Sequence, residues 1–131
     1  MTRTIVLDSG AVIAAENSDS SLTRLIEAAR TRRALVLIPS GVIAETWRGA
    51  SPHPNISRLM KTVDAFPPLD FDAAKRIGTR LGQVSGPSVI DGSVVDVALR
   101  NTPSLIATSD PDDLRELLKH VPKADIEIYV L

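Results

Sequence analysis

Four acids in this chain follow a strand end or fall in the first turns of a helix: Asp8, Glu45, Asp91 and Asp110. Asp8 ends the β-branched run Thr4-Ile5-Val6-Leu7, and Asp110 follows the apolar run Ser104–Thr108. Asp91 stands three residues after Ser88, ahead of Val94, Val95, Ala98 and Leu99. Glu45 lies about one and a half turns into a helical pattern that opens at Ser40. Carboxylates gathered at one edge repel each other and need protons or cations at neutral pH. The chain has no cysteine and only two histidines, His53 and His120, so oxygen is the donor on offer. Hard oxygen donors select Mg²⁺ or Mn²⁺. A divalent ion acidifies bound water and stabilises charge on a phosphoryl oxygen, which is what phosphodiester hydrolysis needs.

Each acid also has a purely local use. Asp110, Pro111 and Asp113 suit the N-cap, N1 and N3 positions of a helix carrying Leu114, Leu117 and Leu118. Ser88 and Asp91 have capping-box spacing. Asp8 could serve a turn, but Ser9 can cap the helix that follows and leave Asp8 free. Asp96, more than a turn beyond Asp91, reads as a flanking acid.

The elements that must position these residues alternate in type. Strands are expected at Thr4–Leu7, Leu35–Ile38, Ser104–Thr108 and Ile126–Val130, the last at an edge. Helices are expected from Ser9 to Ala15, from Ser20 or Ser21 onward, from Ser40 to Gly49, from Asn55 to Val63, from Phe71 to Val84, after Ser88 and after Pro111. Leu22, Leu25, Ile26 and Ala29 form one apolar stripe. Gly78 and Gly82 would let their helix pack closely. The alternation implies an α/β domain with a mostly parallel sheet of four or five strands, at whose carboxyl edge ligands bind.

At 131 residues the chain reads as one domain, 1–131. The formal charge of −1 excludes a polyanion binder argued from net charge alone. The distribution is uneven. The stretch 20–63 carries Arg24, Arg30, Arg32, Arg33, Arg48, Arg58 and Lys61 against few acids, and the acids crowd after Ser85. A positive surface beside a negative pocket is implied. No apolar run approaches the roughly 20 residues of a membrane span, and Asp8 interrupts any signal-peptide pattern, so a cytoplasmic location is expected. A phosphate-binding G-x-x-x-x-G-K-[ST] loop is absent. Asp8-Ser9-Gly10 lacks the paired acids of a receiver domain and the Asp-x-Asp of a haloacid-dehalogenase-like phosphatase.

The motifs in order are Val-Leu-Asp8-Ser, Ala-Glu45, Val-Ile-Asp91-Gly-Ser-Val-Val and Thr-Ser-Asp110-Pro-Asp-Asp-Leu. Together they resemble a PIN domain, and more narrowly a VapC-type toxin of a bacterial toxin–antitoxin pair, over nearly the whole chain. The resemblance implies a PIN-like three-layer fold and a Mg²⁺- or Mn²⁺-dependent endoribonuclease. It further implies an RNA substrate, frequent homodimers and a cognate antitoxin that blocks the site. Asp8, Glu45, Asp91 and Asp110 match the family's acids, as both catalytic and metal-binding residues. Where members often read Asp-Ala-x-Ile-Ala-Ala, this chain has Asp91-Gly-Ser-Val-Val-Asp96. Arg48 and Ser109 are the expected substrate contacts, with Arg58 and Lys61 steering RNA. The antitoxin is expected between the helices at Leu22–Ala29 and Val42–Trp47, anchored on Trp47. The alternative is a catalytically silent PIN-like module that binds RNA or protein.

Overall fold

The computed structural model describes residues 2–121 and 124–131. Four strands and seven helices follow in chain order: β1 (Thr4–Leu7), α1 (Ser9–Glu16), α2 (Ser20–Thr31), β2 (Leu35–Leu37), α3 (Ser40–Thr46), α4 (Pro54–Met60), α5 (Phe71–Leu81), α6 (Val89–Arg100), β3 (Ser104–Thr108), α7 (Asp112–Leu118) and β4 (Ile126–Val130). The sheet is wholly parallel, in the order β2-β1-β3-β4. Parallel strands covered by helices on both faces are buried on both faces, which explains the unbroken apolar runs. All residues of β1 and β3 are buried. β4 is the edge strand expected from its alternation. The outer side of β2 is covered by the segment after α4, where Ala65 bridges Leu37 and Asp64 Oδ2 accepts the Val36 N–H at 2.7 Å.

Register fixes the future site. Leu7 pairs with Ala107, and the Asp8 N–H reaches Ala107 O. The residues that leave β1 and β3 therefore leave side by side. Val94, Val95 and Ala98 of α6 lie in one buried cluster with Val6, Leu7 and Ile106, and α6 packs across both central strands. Its first turn, with Asp91, is brought toward the same edge.

Three local expectations are corrected. Ser9 does not cap α1: Asp8 does, its Oδ1 accepting the Ala11 N–H at 2.9 Å. Asp110 does not cap α7, whose N-cap position is Pro111 with no side-chain hydrogen bond. Close packing of α5 on α6 comes from Gly92, where a Cβ would lie 2.6 Å from Ile77 Cγ2, while a Cβ on Gly78 would meet nothing within 4 Å. Gly78 lies off the contact face, a matter of helix rotation that spacing within one helix does not report.

Candidate active site

Asp8 stands at the bottom of the site, 9% exposed. Burial pushes its carboxyl above the ordinary value. Hydrogen bonds from the Thr108 hydroxyl and the Ala11 N–H draw it back, and the nearby Asp91 charge adds to the rise. The N-cap bond explains how a charged group is tolerated so deep: an orphan helix N–H and a partly positive helix terminus both favour an anion. Ser9, released from capping, is left with a buried hydroxyl that has no hydrogen-bond partner among the described residues. A buried polar atom without a partner costs free energy, and one directly beside Asp8 is a ready partner for water or a ligand.

Thr108, fully buried, ends β3, and its Oγ1 accepts the Asp110 N–H at 3.0 Å. That small loop lifts Ser109 and Asp110 into solvent. Ser109 lies against Gly10, where any Cβ would collide with the Ser109 side chain. The first turn of α1 and the loop after β3 thus touch, and glycine at position 10 leaves room for Ser109 as it stands.

Asp91 carries out its local role in full. Its Oδ2 accepts Ser88 N–H at 2.9 Å and Ser88 Oγ at 3.1 Å, while the Asp91 N–H returns to Ser88 Oγ. Its Oδ1 takes no hydrogen bond among the described residues and stays available. Asp113 is the residue that the motif comparison passed over. Desolvation pushes its carboxyl up, and the charges of Asp91, Asp110 and Asp112 push it further. The loop before α6 approaches it, a Gly86 Cβ lying 3.3 Å from Asp113 Oδ1. In the sequence Asp113 passed for an N3 residue; the signal against that was Pro111, which fills the cap position without a side-chain acceptor.

Glu45 is less closely tied. Gly41, one turn earlier on the same face of α3, packs on Ile90 and Ser93 of α6, which directs that face toward the first turn of α6. The Glu45 side chain is exposed and makes no hydrogen bond among the described residues. Arg48 is turned onto its own chain, donating to Ala44 O at 3.3 Å and Trp47 O at 3.1 Å. Arg58 donates to Asn55 Oδ1 at 2.8 Å, away from the acids. Asp96 lies outside the site: it is 3% exposed and held by Arg76 and Arg80 of α5.

Among the described residues no three acidic or histidine side chains are drawn together closely enough to hold one ion. The chemistry of the donors nevertheless fits a hard divalent cation. Asp8, Asp91, Asp110 and Asp113 supply carboxylate oxygen, sulfur is absent, and Ser9 offers an unpartnered hydroxyl.

The sequence matches no protein-family model, and no curated protein is significantly similar to it. Solved structures are informative. A chain of VapBC2 from Rickettsia felis, crystallised with a DNA fragment from its promoter, superposes with a TM-score of 0.65 at 17% identity, covering 96% of this chain and 98% of that one. A chain of DNA-bound VapBC from Salmonella typhimurium superposes with a TM-score of 0.65 at 15% identity, covering 98% of each. The fold is PIN-like. It spans the described chain from end to end, and Asp8 and Asp110 leave β1 and β3 at the carboxyl edge of its sheet. Among the described residues no helix is long and apolar enough to cross a membrane.

Proposed function

We propose that the chain is a divalent-metal-dependent endoribonuclease acting as the toxin of a toxin–antitoxin pair. The observation that carries this reading is the register that sends Asp8 and the stretch from Asp110 to Asp113 off neighbouring strands at the carboxyl edge of a parallel PIN-like sheet, with Asp91 near enough for its charge to act on both Asp8 and Asp113. Asp8, Asp91 through its free Oδ1, and Asp110 would hold Mg²⁺ or Mn²⁺, with Asp113 and Glu45 flanking them. When bound, the ion neutralises the acids, acidifies water and stabilises charge on the phosphoryl group. The chain's own residues do the rest. The Ala11 N–H fixes Asp8, Thr108 orders the backbone at Asp110, and Ser109, exposed beside Gly10, offers a hydroxyl to a phosphate oxygen.

The structural neighbours come from VapBC complexes, which supports a VapB-like antitoxin as partner. A cleft of about 330 Å³ lies between α2 and α4, lined by Leu22, Ile26, Arg30, Arg58 and Leu59. It offers an amphipathic segment apolar lining from Leu22, Ile26 and Leu59 beside the guanidiniums of Arg30 and Arg58. Trp47, at the C-cap of α3, is 39% exposed and stays open to such a partner. A homodimer and a cytoplasmic site of action, where the RNA is, complete the proposal.

The rival reading is a catalytically silent module, and the full engagement of Asp91 Oδ2 in its capping box favours it. Two measurements decide. Purified protein should cut RNA with Mg²⁺ or Mn²⁺ and not with EDTA. Calorimetry should register metal binding that disappears in Asp8→Asn and Asp110→Asn. Metal binding unaltered by both substitutions, with no cleavage, would establish the silent module.

A further inference from the structure

The amino-terminal edge of the sheet carries a second charged feature, opposite in place and sign to the acids. A cleft of about 480 Å³ there is lined by Arg3, Arg32, Arg33, Leu35, Asn101 and Thr102. Three segments build it. Arg3 leads into the central strand β1, its N–H donating to Pro103 O and its carbonyl accepting from Leu35 N–H. Arg32 and Arg33 end α2, and Asn101 and Thr102 join α6 to β3.

The three guanidiniums are exposed, and none is ion-paired among the described residues. The acids framing this end are occupied or distant. Asp64 is bound to the Val36 N–H. Asp125 precedes β4, two strands from β1, which is about 10 Å of sheet. Arg3 lies five residues from Asp8 along an extended strand, or about 16 Å, so the cleft is separate from the acid pocket.

Arg33 has a backbone peculiarity. α2 ends in a Schellman motif: Ala34 N–H donates to Ala29 O and Arg33 N–H to Arg30 O. The residue at that turn has φ +56°, a left-handed conformation that favours glycine. Attraction to the helix C-terminus rationalises a cation at Arg32 or Arg30. It does not call for a bulky arginine at the one position where glycine is better. The same turn closes α1 at Ser18, with φ +55°, so a side chain is tolerated there, and at Arg33 it sets a guanidinium on the cleft.

We propose that this cleft binds the phosphodiester backbone of a single-stranded nucleic acid, holding RNA at a distance from the acids that cut it. Guanidiniums pair with phosphate oxygens bidentately, and the Asn101 amide and Thr102 hydroxyl are further donors. The choice of RNA over an acidic protein rests on the nuclease reading above.

The test is fluorescence anisotropy of the full chain with labelled oligouridylate and oligodeoxythymidylate, in EDTA so that nothing is cut, across a salt series. The triple variant Arg3→Gln, Arg32→Gln, Arg33→Gly should lower the slope of log affinity against log salt by about 2, at roughly 0.7 per phosphate contact. Arg33→Gly alone should weaken binding while raising the melting temperature by about 3 °C, so loss of affinity there is not loss of fold. Arg33→Lys should restore the slope. An unchanged slope for both oligonucleotides overturns the proposal. So does a triple variant that loses a poly-glutamate peptide but keeps RNA, which would give the cleft to an acidic protein. Absence of cleavage with metal would sink the nuclease reading and leave these slopes intact; cleavage with an unaltered slope would sink only the cleft.

Discussion

The two ends of the sheet are built by the same device and used in opposite ways. At the carboxyl end the loops after β1 and β3 and the first turns of α6 and α7 bring acids within reach of each other's charge. At the amino end the segments before β1 and β2 bring three arginines, without ion pairs among the described residues, to one cleft that the segment before β3 completes. A parallel sheet sends all its strand ends of one kind to one edge, so each edge acquires its own charge. The net charge of −1 hides this completely. The ends also differ in how local demands are met. Asp8 and Asp91 are shared between capping and the site, whereas the arginines have no ion-pair partner among the described residues and Arg33 is held against its backbone preference.

The largest effect that would break the comparison is catalytic. Asp110→Asn, which removes a charge with no capping duty, should cut RNA cleavage by about a thousandfold, the loss of several kcal/mol of charge stabilisation. Arg33→Gly should leave cleavage of a short oligonucleotide within about twofold, since a short strand does not reach the far cleft. Equal losses in the two variants, read from single-turnover rates, would mean that the two ends are one site.

Between the ends lies a third ionic feature whose cost is structural. Arg76 Nε and Nη2 donate to the two oxygens of Asp96 at 2.9 and 3.1 Å, and Arg80 Nη1 donates at 2.9 Å. Burial by itself raises the Asp96 carboxyl, but the two guanidiniums outweigh it and hold it below its ordinary value of 3.8. Removing one partner of a buried ion set is costly, so Asp96→Ala should destabilise by about 3 kcal/mol, or about 10 °C in Tm. Because the folded value is depressed, this stabilisation is complete above pH 3.8 and fades as pH falls through the folded value. Chemical denaturation at pH 7 and pH 3 should show the wild type converging on the variant.

The acid end should behave in the opposite sense. Asp8 is raised, so its ionised form weakens the metal-free fold, and the wild type gains stability as pH falls through the raised value toward 3.8. Asp8→Asn keeps an acceptor for the Ala11 N–H and loses the charge. It should melt a few degrees higher than wild type at pH 7 without metal, with the gap closing on acidification. Mg²⁺ should stabilise the wild type and leave the variant unmoved. A variant less stable than wild type at pH 7 would show that the Asp8 charge is compensated before any ion arrives.

The smallest effect is at the arginine end. Arg33→Gly should add about 1 kcal/mol, the relief of a left-handed arginine less the entropy that glycine loses. Arg32→Gln should change stability by less than about 0.5 kcal/mol. A destabilising Arg33→Gly would mean that the guanidinium makes folded-state contacts that outweigh its backbone cost.

Most of the fold was legible in the chain. The boundaries of β1, β3 and β4 match their apolar runs residue for residue, because a buried strand writes its length as unbroken hydrophobicity and a half-buried one as alternation. The Ser88–Asp91 capping box was legible for the same reason: its partners are three residues apart, and helix geometry does the rest. His53 is exposed and caps α4 through Nδ1, a role its place before Pro54 permits. The cap of α1 was misassigned because Ser9 and Asp8 are both good N-cap residues one position apart. The strand's exit angle, set by pairing with β3, chose between them.

By itself the sequence determined the alternation of strands and helices, the parallel sheet and the presence of acids at element junctions. Those follow from periodicity and cap chemistry within a few residues. Only the tertiary structure decided which acids share an edge: Asp113 comes in because α7 starts at Asp112 and packs against α6, and Asp96 goes out because α5 brings two arginines to it. The tertiary structure alone also gathered Arg3, Arg32 and Arg33, which lie up to thirty positions apart in the chain. The reason is physical: charge acts through space over several ångströms, and only strand order and helix rotation settle which distant residues come that close.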